Sequence, residues 1–402
     1  MVTGIGVLAA NGIGKDAFWN SLLEGRSGIG RVTLFDASDM PDAVAGEVSD
    51  FNPEDFIDKS FKPKRMARFT QLAMAAAQMA IQDADAMQEL KTAPIPVCLG
   101  VSTSATEVIE TQVLRIESKG IRHASPLTAI TSLPQAGAGT IAALLGIKAE
   151  TLTVSTGCPA GLDAIALATD AIASGKRDIA IAGGADAPIT KLTLATFNAA
   201  RMIPAGQTHP EKASKPFDQN RAGGVIAEGA CVLILENLDA ALARGATPLL
   251  EICGYGYSGD LSSEAPGTGL LASMEDALSN SGLLPQQIDY ISAHGPSDKH
   301  LDYIETECIK KLLKKYAYAI PVSSIKGVTG NPLAAAGPMQ VSACAMAFRH
   351  GIIPPTANYR TPDPMCDLDY VPAPRHSDIN YAIINNHGFG GSNSSLVVKR
   401  YK

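Results

Sequence analysis

The stretch Leu152-Thr153-Val154-Ser155-Thr156-Gly157-Cys158-Pro159-Ala160-Gly161-Leu162 joins a strand-like run to a helix-like run. Residues 151–154 are β-branched and apolar, which predicts a buried strand. From Pro159 to Ser174 the chain is rich in Ala and begins with Pro, which is favoured at the first helical position. Cys158 would then face the unpaired N–H groups of a helix N-terminus, which predicts a lowered thiol pKa and a nucleophile. A buried structural cysteine is the alternative interpretation.

Composition limits the classes of function. The chain has 402 residues, of which 46% are hydrophobic and 18% charged, and a formal net charge of −7. This acidic balance argues against nucleic acid as a partner. The seven cysteines are scattered without metal-ligand spacing, which predicts no metal site and a cytoplasmic location. Residues 1–6 do not resemble a signal peptide, and we expect the uncharged residues 124–147 to be a buried α/β segment, not a membrane span.

Strand-like and helix-like runs alternate along the chain, which predicts a layered α/β fold with covered sheets. We expect two similar halves, residues 1–245 and 246–402, each with strands, Gly-rich turns and helices. The predicted strands are Ile95–Gly100, Leu152–Ser155, Ile179–Gly183, Ala230–Leu235, Ile288–Ser292, Ile320–Val322 and Ile379–Ile384. The predicted helices are Phe69–Asp85, Pro159–Ser174, Leu301–Lys314 and Pro338–Phe348.

Three further stretches place polar groups just after predicted strands, where α/β proteins carry their sites. His294 follows the predicted strand Ile288–Ser292, and Lys326 lies in a Gly-rich loop after Ile320–Val322. His387 lies between Ile379–Ile384 and Gly388-Phe389-Gly390-Gly391. An isolated His in such a position is more often structural. Together with Cys158, the three stretches indicate Cys/His nucleophilic chemistry.

At this point the ordered motifs resemble a known family, the elongating β-ketoacyl-acyl-carrier-protein synthases (type I/II ketosynthases) of the thiolase-like superfamily. The motifs are Val2-Thr3-Gly4-Ile5-Gly6, Phe18-Trp19, Gly25-Arg26-Ser27-Gly28-Ile29, Arg65-Met66-Ala67-Arg68-Phe69-Thr70, Thr156-Gly157-Cys158-Pro159-Ala160-Gly161, Lys215-Pro216-Phe217-Asp218-Gln219-Asn220-Arg221, Ala227-Glu228-Gly229-Ala230, Ala293-His294-Gly295, Ser324-Ile325-Lys326 and Gly388-Phe389-Gly390-Gly391-Ser392-Asn393. The resemblance implies a thiolase-like fold with two duplicated βαβαβαββ-type halves in a five-layer α/β sandwich. It also implies a homodimer or a heterodimer with another ketosynthase.

The resemblance assigns a role to each matching residue. Cys158 would take the acyl group, and His294 would assist decarboxylation of a malonyl thioester. Backbone N–H groups of Cys158 and Phe389 would form the oxyanion hole, and Phe389 would gate the site. Lys326 and Glu305 would support His294, unless they form only a structural ion pair. Substrates would arrive as phosphopantetheine or CoA thioesters, and no cofactor is implied.

Two histidine positions depart from the family. Asn331 occupies the position of the second catalytic His, which gives a Cys-His-Asn set. An Asn can still donate a hydrogen bond to an oxyanion but cannot carry positive charge. His387 stands where the family usually has Phe, so a positional exchange of the histidine is one hypothesis. Packing alone is the other.

Other departures concern substrate binding. Pro296 and Asp298 replace threonines that would bind the pantetheine arm, so we expect altered recognition there. Gly224 replaces a large aromatic residue, which predicts a larger cavity. Ser104 lies in a stretch that differs from the family at the acyl pocket.

A basic cluster, Lys62, Lys64, Arg65 and Arg68, lies where the resemblance places acyl-carrier-protein docking. A solvated loop is the alternative. The leading interpretation is a ketosynthase that performs decarboxylative Claisen condensation in fatty-acid or polyketide-type biosynthesis. The alternatives are a non-condensing acyltransferase or hydrolase, and a chain-length-factor-like partner subunit. The retained Cys158, His294 and Lys326 argue against the last.

Overall fold

A computed structural model of the chain describes residues 1–204, 206, 208–262 and 264–402. The strands are β1 (Val2–Ala9), β2 (Gly12–Ile13), β3 (Ile29–Arg31), β4 (Val44–Gly46), β5 (Ile95–Gly100), β6 (Ala149–Val154), β7 (Ile179–Asp186), β8 (Gly229–Glu236), β9 (Leu250–Gly259), β10 (Tyr290–Ser292), β11 (Val322–Ser323), β12 (Ile352–Ile353), β13 (Arg375–His376), β14 (Tyr381–His387) and β15 (Ser392–Arg400). The helices are α1 (Lys15–Glu24), α2 (Arg68–Ala84), α3 (Thr106–Lys119), α4 (Thr128–Thr131), α5 (Ala136–Leu145), α6 (Ala160–Ala173), α7 (Lys191–Ala199), α8 (Leu238–Ala243), α9 (Thr268–Ser281), α10 (Lys299–Leu313), α11 (Lys326–Thr329) and α12 (Ala336–His350).

The two halves repeat one topology. The first half has the strand order β6-β5-β7-β8-β1, and the second has β11-β10-β14-β15-β9. In each order the first three strands are parallel to one another. The fourth strand runs antiparallel to both the third and the fifth. Each half therefore reads β-α-β-α-β-α-β-β along the chain, as expected. The halves meet where Val2 pairs with Leu250, and the proposed boundary at 245/246 falls between β8 and β9.

Five layers result from the positions of the helices. Helix α2 covers the outer face of the first half, and α9 and α10 cover that of the second. Helices α6 and α12 lie between the two sets of strands and contact both. Helix α12 is buried along nearly its whole length because it is covered on both sides. This architecture confirms the predicted α/β class and the predicted thiolase-like sandwich.

Glycine lets α2 approach the sheet closely. A Cβ on Gly6 of β1 would lie 1.9 Å from the backbone oxygen of Ala76, and a Cβ on Gly4 would lie 2.3 Å from that of Ala80. No side chain fits at these distances, so the Gly-Ile-Gly spacing sets the distance between strand and helix.

The predicted strands and helices are found, with boundaries shifted by a few residues at most. The prediction that residues 124–147 are buried holds only in part. Helix α5 buries Gly137, Ala138, Ile141 and Leu145, whereas Leu127, Ile130 and Leu133 are 43%, 69% and 42% exposed. Uncharged sequence indicated burial throughout, but residues 124–133 lie at the surface of the first half. None of the described helices is both long enough and apolar enough to cross a membrane.

The parallel strands place the sequence motifs together. Cys158 follows β6, His294 follows β10, Lys326 follows β11, and His387 ends β14. The carboxyl ends of parallel strands share one edge, and in α/β sheets this edge forms the site. The first half therefore supplies the thiol, and the second half supplies the groups that face it.

Candidate active site

Cys158 lies in a tight turn between β6 and α6 and is 3% exposed. Gly157 has φ 79°, in the left-handed region, which allows the strand to turn directly into the helix. Pro159 is the N-cap, and the helix begins at Ala160. The local structure is therefore the predicted strand–turn–helix unit with the thiol at the helix N-terminus. The prediction that this strand is buried is wrong, because β6 is an edge strand whose residues are all exposed or half-buried.

His294 is held from two sides. Lys326 Nζ lies 3.1 Å from His294 Nδ1 and donates to the His294 backbone oxygen at 2.5 Å. The Glu305 carboxylate accepts the backbone N–H groups of His294 and Gly295 at 2.9 and 2.8 Å. Lys326 and Glu305 thus each bind the His294 segment. Within the described residues they form no ion pair with each other at 4.0 Å or less.

Asn331 points towards the thiol. Its Nδ2 lies 3.8 Å from Cys158 Sγ. Its backbone is fixed by hydrogen bonds with Val225 (2.7 Å) and Ala227 (3.0 Å). The structure therefore brings Cys158, His294, Lys326 and Asn331 into one buried cluster drawn from both halves.

The predicted lowering of the Cys158 pKa is wrong. Burial raises the pKa of this thiol, and the Lys326 charge and the Asn331 hydrogen bond offset only part of the rise. A helix N-terminus contributes at most about 2 kcal/mol. Burying a charged group costs several kcal/mol, which decides the sign. The helix position was read correctly, but the sequence did not reveal how completely the sulfur is enclosed.

The pKa values of His294 and Lys326 also differ from those of the free side chains. Burial, together with the nearby charge of Lys326, holds the pKa of His294 well below its usual range. Burial lowers the pKa of Lys326 to about 8. His294 is therefore a neutral imidazole at neutral pH. Its Nδ1 accepts from Lys326, which leaves the proton on Nε2.

The Gly-rich loop lies against the nucleophile turn. A Cβ on Gly388 would lie 2.9 Å from Pro159 Cδ and 3.3 Å from the Thr156 oxygen, so a larger residue would push the two segments apart. Phe389 follows it, is 44% exposed and packs edge-on against Phe197 of α7, with ring centroids 5.9 Å apart. The gate role of Phe389 stays a prediction, and sequence reasoning missed its partner Phe197.

His387 is brought beside His294, with ring centroids 6.3 Å apart. Burial lowers the pKa of His387, while Asp260 and the Asn393 side chain favour its charged form. The Asn393 amide is oriented by donation from Nδ2 to Gly391 O (2.8 Å) and Asp260 Oδ1 (3.2 Å). His387 is therefore a neighbour of the site, and exchange with the missing histidine remains a hypothesis.

Three of the four predicted substrate-pocket residues, Asp298, Gly224 and Ser104, have contacts that the sequence did not indicate. Asp298 is the N-cap of α10 and accepts from the N–H groups of His300 and Leu301, both at 2.9 Å. A Cβ on Gly224 would lie 2.9 Å from the Pro296 backbone oxygen. The expected enlargement at Gly224 is thus not found on this side, because Pro296 backbone occupies the space. Ser104 has φ 58° and donates to the Ser132 oxygen at 3.1 Å.

The basic cluster divides into two kinds of residue. Lys62, Lys64 and Arg65 are exposed. Arg68 is turned inward: its Nε and Nη2 donate to the buried Glu228 carboxylate, both at 2.6 Å. Arg68 is therefore committed to an internal ion pair and lies apart from the exposed cations.

Two carboxylates that sequence reasoning missed, the half-buried Asp163 and the buried Asp186, brace the site. Asp163 accepts from the Thr156 and Ser394 hydroxyls and so joins the nucleophile turn to β15. Asp186 accepts the N–H groups of Ser102, Thr103 and Ala334 at 2.8–3.1 Å. Burial raises the pKa of Asp186 to about 6. The sequence signal that could have identified both carboxylates is an acidic residue inside or directly after an apolar run.

A buried thiol with an amide at its sulfur, and a buried lysine–imidazole pair from the other half, on two repeats of a thiolase-like sandwich, are typical of a ketosynthase-type architecture. The model of the beta-ketoacyl synthase N-terminal domain matches residues 1–241, and that of the C-terminal domain matches residues 250–360. The chain therefore belongs to the β-ketoacyl synthase family. The β-ketoacyl synthases of this family are condensing enzymes of the acyltransferase class.

Named relatives agree with this assignment over the full chain. A 3-oxoacyl-[acyl-carrier-protein] synthase 2 of Synechocystis sp. is 39% identical over 100% of this chain and 98% of the relative. A putative polyketide beta-ketoacyl synthase 1 of Streptomyces halstedii is 37% identical over 99% of this chain and 97% of its own length. These relatives belong to fatty-acid and polyketide biosynthesis, respectively.

Solved structures show the same fold. The ishigamide ketosynthase/chain length factor has a TM-score of 0.94 at 32% identity, covering 100% of this chain and 98% of that one. A type II polyketide ketosynthase in complex with its acyl-carrier protein has a TM-score of 0.91 at 31% identity, again covering 100% and 98%.

The raised pKa of Cys158 predicts its alkylation behaviour. Because the thiolate is the reactive form, the rate of Cys158 alkylation by iodoacetamide should keep rising as pH increases through the ordinary thiol value of 9.0. The modified peptide is followed by mass spectrometry, with glutathione as the reference thiol. A plateau reached below the pH at which glutathione levels off would show that the thiol pKa is lowered instead.

Proposed function

We propose that this chain loads an acyl group from a carrier-protein or CoA thioester onto Cys158 and condenses it with a malonyl thioester. The observation that carries the proposal is the placement of Asn331 Nδ2 at 3.8 Å from Cys158 Sγ. Lys326, whose charge acts on this thiol, also holds the His294 imidazole. Neither role requires a cofactor, and within the described ranges no group of three or more His, Cys, Asp or Glu side chains could hold a metal ion.

In the loading step Cys158 Sγ attacks the thioester carbonyl carbon. The backbone N–H groups of Cys158 and Phe389 would stabilise the oxyanion. The new C–S bond forms as the bond to the carrier sulfur breaks, and the thiol proton leaves with the carrier. The raised pKa of Cys158 makes this a reaction of a small thiolate fraction, which the Lys326 charge increases.

In the condensation step the malonyl thioester loses CO2 and becomes an enolate. The N–H of neutral His294 and the Nδ2–H of Asn331 would donate to the enolate oxygen. The enolate carbon then attacks the acyl carbonyl, and the C–S bond to Cys158 breaks. The thiolate regains its proton from solvent. Because both donors are neutral, this step needs no positive charge at position 331.

Two alternatives remain open to experiment. A non-condensing acyltransferase or hydrolase would use the same loading step but would not decarboxylate the malonyl thioester. A chain-length-factor-like subunit would not load at all. The buried thiol, with its amide and imidazole neighbours, favours a catalytic chain over the second alternative.

We assign carrier-protein docking to the exposed cations Lys62, Lys64 and Arg65. A cationic surface on a chain of net charge −7 can steer an acidic partner. Arg68 is left out of this surface because Glu228 holds it. The ketosynthase–carrier-protein complex among the structural neighbours supports a partner of this kind.

We assign the exposed edge of the first half to a second chain of the same fold, either a copy of this chain or a chain-length-factor-like partner. Strand β6 ends the sheet, and Leu152 on it is 45% exposed. The adjoining segment exposes further large apolar side chains: Ile109, Val113, Leu114, Ile121, Leu127, Ile130 and Leu133. An open strand edge and a group of exposed large apolar side chains are typical of a subunit interface. The seven unpaired cysteines favour a cytoplasmic location for the assembly.

Loading is tested by intact-protein mass spectrometry with a panel of acyl-carrier-protein thioesters. Wild type should gain the mass of one acyl group, and Cys158→Ala should gain none. The matched control Cys253→Ala, which removes a half-buried cysteine of β9, should load like wild type. Absence of loading with every donor would reject an acyl-enzyme role and favour the chain-length-factor-like alternative.

Charge reversal tests the docking surface. Combining Lys62→Glu and Arg65→Glu should raise KM for carrier-bound substrate about fivefold or more, because steering is lost. The KM for the corresponding CoA thioester should stay unchanged. Lys91→Glu, on another exposed turn, is the control. Equal effects on both substrates would locate the defect in the site and reject docking at this surface.

Native mass spectrometry tests the subunit interface. Wild type should be a dimer, alone or with a coexpressed ketosynthase-fold partner, and Leu114→Glu with Ile130→Glu should give a monomer. Leu284→Glu introduces the same charge at a 56% exposed leucine of the second half and should leave the dimer intact. Dimers that survive the double change would place the interface elsewhere.

A further inference from the structure

The segment that carries Asn331 is held in place by the first half of the chain. Residues 331–335, which we call the Asn331 turn, connect α11 to α12 in the second half. They contact β7 and α6 of the first half. The second half therefore reaches into the first half beside the helix that follows the nucleophile. The way the turn is fixed there decides where the Asn331 amide lies relative to Cys158 Sγ.

Two glycines of the first half let the Asn331 turn approach closely. Gly161 lies on α6, three residues after Cys158, and Gly184 lies on β7. A Cβ on either glycine would lie 2.1 Å from the backbone oxygen of Ala334. No side chain fits at this distance, so the backbone of the turn packs directly on the backbone of the first half. The carbonyl side of Ala334 is therefore held by close packing.

The N–H side of Ala334 is held by Asp186, which ends β7 and is fully buried. Asp186 Oδ2 accepts the Ala334 N–H at 3.0 Å. The same carboxylate accepts the N–H groups of Ser102 (3.0 Å) and Thr103 (2.8 Å), in the stretch that also contains Ser104. A carboxylate suits this place because it only accepts, whereas an amide would turn its NH2 group towards one of these donors. One side chain thus fixes the Asn331 turn and the predicted acyl-pocket stretch together.

The conformation of the Asn331 turn needs this support. Leu333 has φ 48°, in the left-handed region, which is costly for a leucine. Its side chain is buried in the same apolar cluster as Cys158. Such a backbone conformation persists only where the surrounding structure enforces it. If the Ala334 N–H lost its acceptor, Leu333 would relax and Asn331, two residues earlier, would shift away from the sulfur.

We propose that Asp186 is a positioning residue that holds the Asn331 turn, so that Asn331 Nδ2 stays beside Cys158 Sγ and can donate to the enolate. A carboxylate of the first half then sets the place of a hydrogen-bond donor of the second half. The inference rests on the proposed function, because it assigns this contact to condensation. Loading of Cys158 does not use the Asn331 amide and is therefore the internal reference.

The kinetic test is single-turnover condensation with malonyl-carrier protein by enzyme already acylated at Cys158. Asp186→Asn should lower the maximal rate about tenfold or more, because the donor is misplaced in the transition state. The malonyl-carrier-protein concentration that gives half the maximal rate, and the rate of loading at saturating acyl donor, should stay within about twofold of wild type. Asp289→Asn is the matched control. It changes a half-buried carboxylate that accepts the N–H groups of Asn380 and Tyr381 at the start of β14, and both steps should be unchanged.

Coupling to Asn331 separates positioning from other roles of the carboxylate. Asp186→Asn added to Asn331→Leu should leave the condensation rate within about twofold of Asn331→Leu alone, because both changes act through one amide. Gly184→Ala should reproduce the defect with Asp186 intact, because its Cβ displaces the Ala334 oxygen. Gly30→Ala on β3, where an added Cβ meets nothing within 4 Å, should have no effect. Multiplicative effects in the double variant, or equal losses of loading and condensation, would overturn the proposal.

Hydrogen–deuterium exchange gives a readout apart from activity. In Asp186→Asn, peptides covering residues 102–103 and 331–335 should exchange about tenfold faster or more, because buried N–H groups lose their acceptor. Peptides of β9 should exchange as in wild type, which shows that the change is local. Unchanged exchange at residues 331–335, or faster exchange throughout the chain, would overturn the inference. If wild type does not condense but the variant shows the local effect, the proposed function fails while the positioning role stands.

Discussion

The contact between the buried Lys326 amine and His294 is the interaction on which the site depends. Lys326 donates to both the backbone oxygen and Nδ1 of His294. Burying an amine is costly unless its hydrogen bonds are satisfied, and here the imidazole and a carbonyl satisfy them. The same contact leaves the imidazole neutral and directs its remaining N–H away from Lys326. The charge of Lys326 also acts on Cys158, where it partly offsets the effect of burial on the thiol pKa.

Duplication explains why the site is assembled from two halves. Each half places its chemistry at the carboxyl ends of three parallel strands, and the central helices α6 and α12 hold these ends together. The first half supplies the thiol after its third strand, and the second supplies Lys326 at the equivalent place after β11. The repeated scaffold thus gives two unlike contributions, a thiol from one half and the side chains of His294, Lys326 and Asn331 from the other. In the proposed function Asn331 fits this division, because its position would require a hydrogen-bond donor and not a charge.

The fold and most of the site could be predicted from the sequence, because strand and helix periodicity and the ordered motifs are local signals. The predictions that failed are those that depend on how distant segments of the chain enclose a residue. The pKa of Cys158 is raised by how fully distant segments of the chain, among them those of Ala45, Leu194 and Leu333, enclose the sulfur. The helix N-terminus alone gave the wrong direction. Arg68 looked like a surface cation until Glu228, 160 residues away, was found to bind it. Residues 124–133 looked buried because they lack charge, yet exposed apolar side chains are also what a subunit interface requires.

The central claim is that a Cys-His-Asn set with neutral donors carries out condensation as well as loading. The most direct measurement is single-turnover release of CO2 from malonyl-carrier protein by enzyme already acylated at Cys158, with product analysed by mass spectrometry. The account predicts that CO2 and a β-ketoacyl thioester appear one for one, and that Asn331→Leu slows both while the loaded acyl group persists. Loss of the acyl group by hydrolysis, without CO2 release from malonyl-carrier protein, would contradict the account and identify a non-condensing acyltransferase.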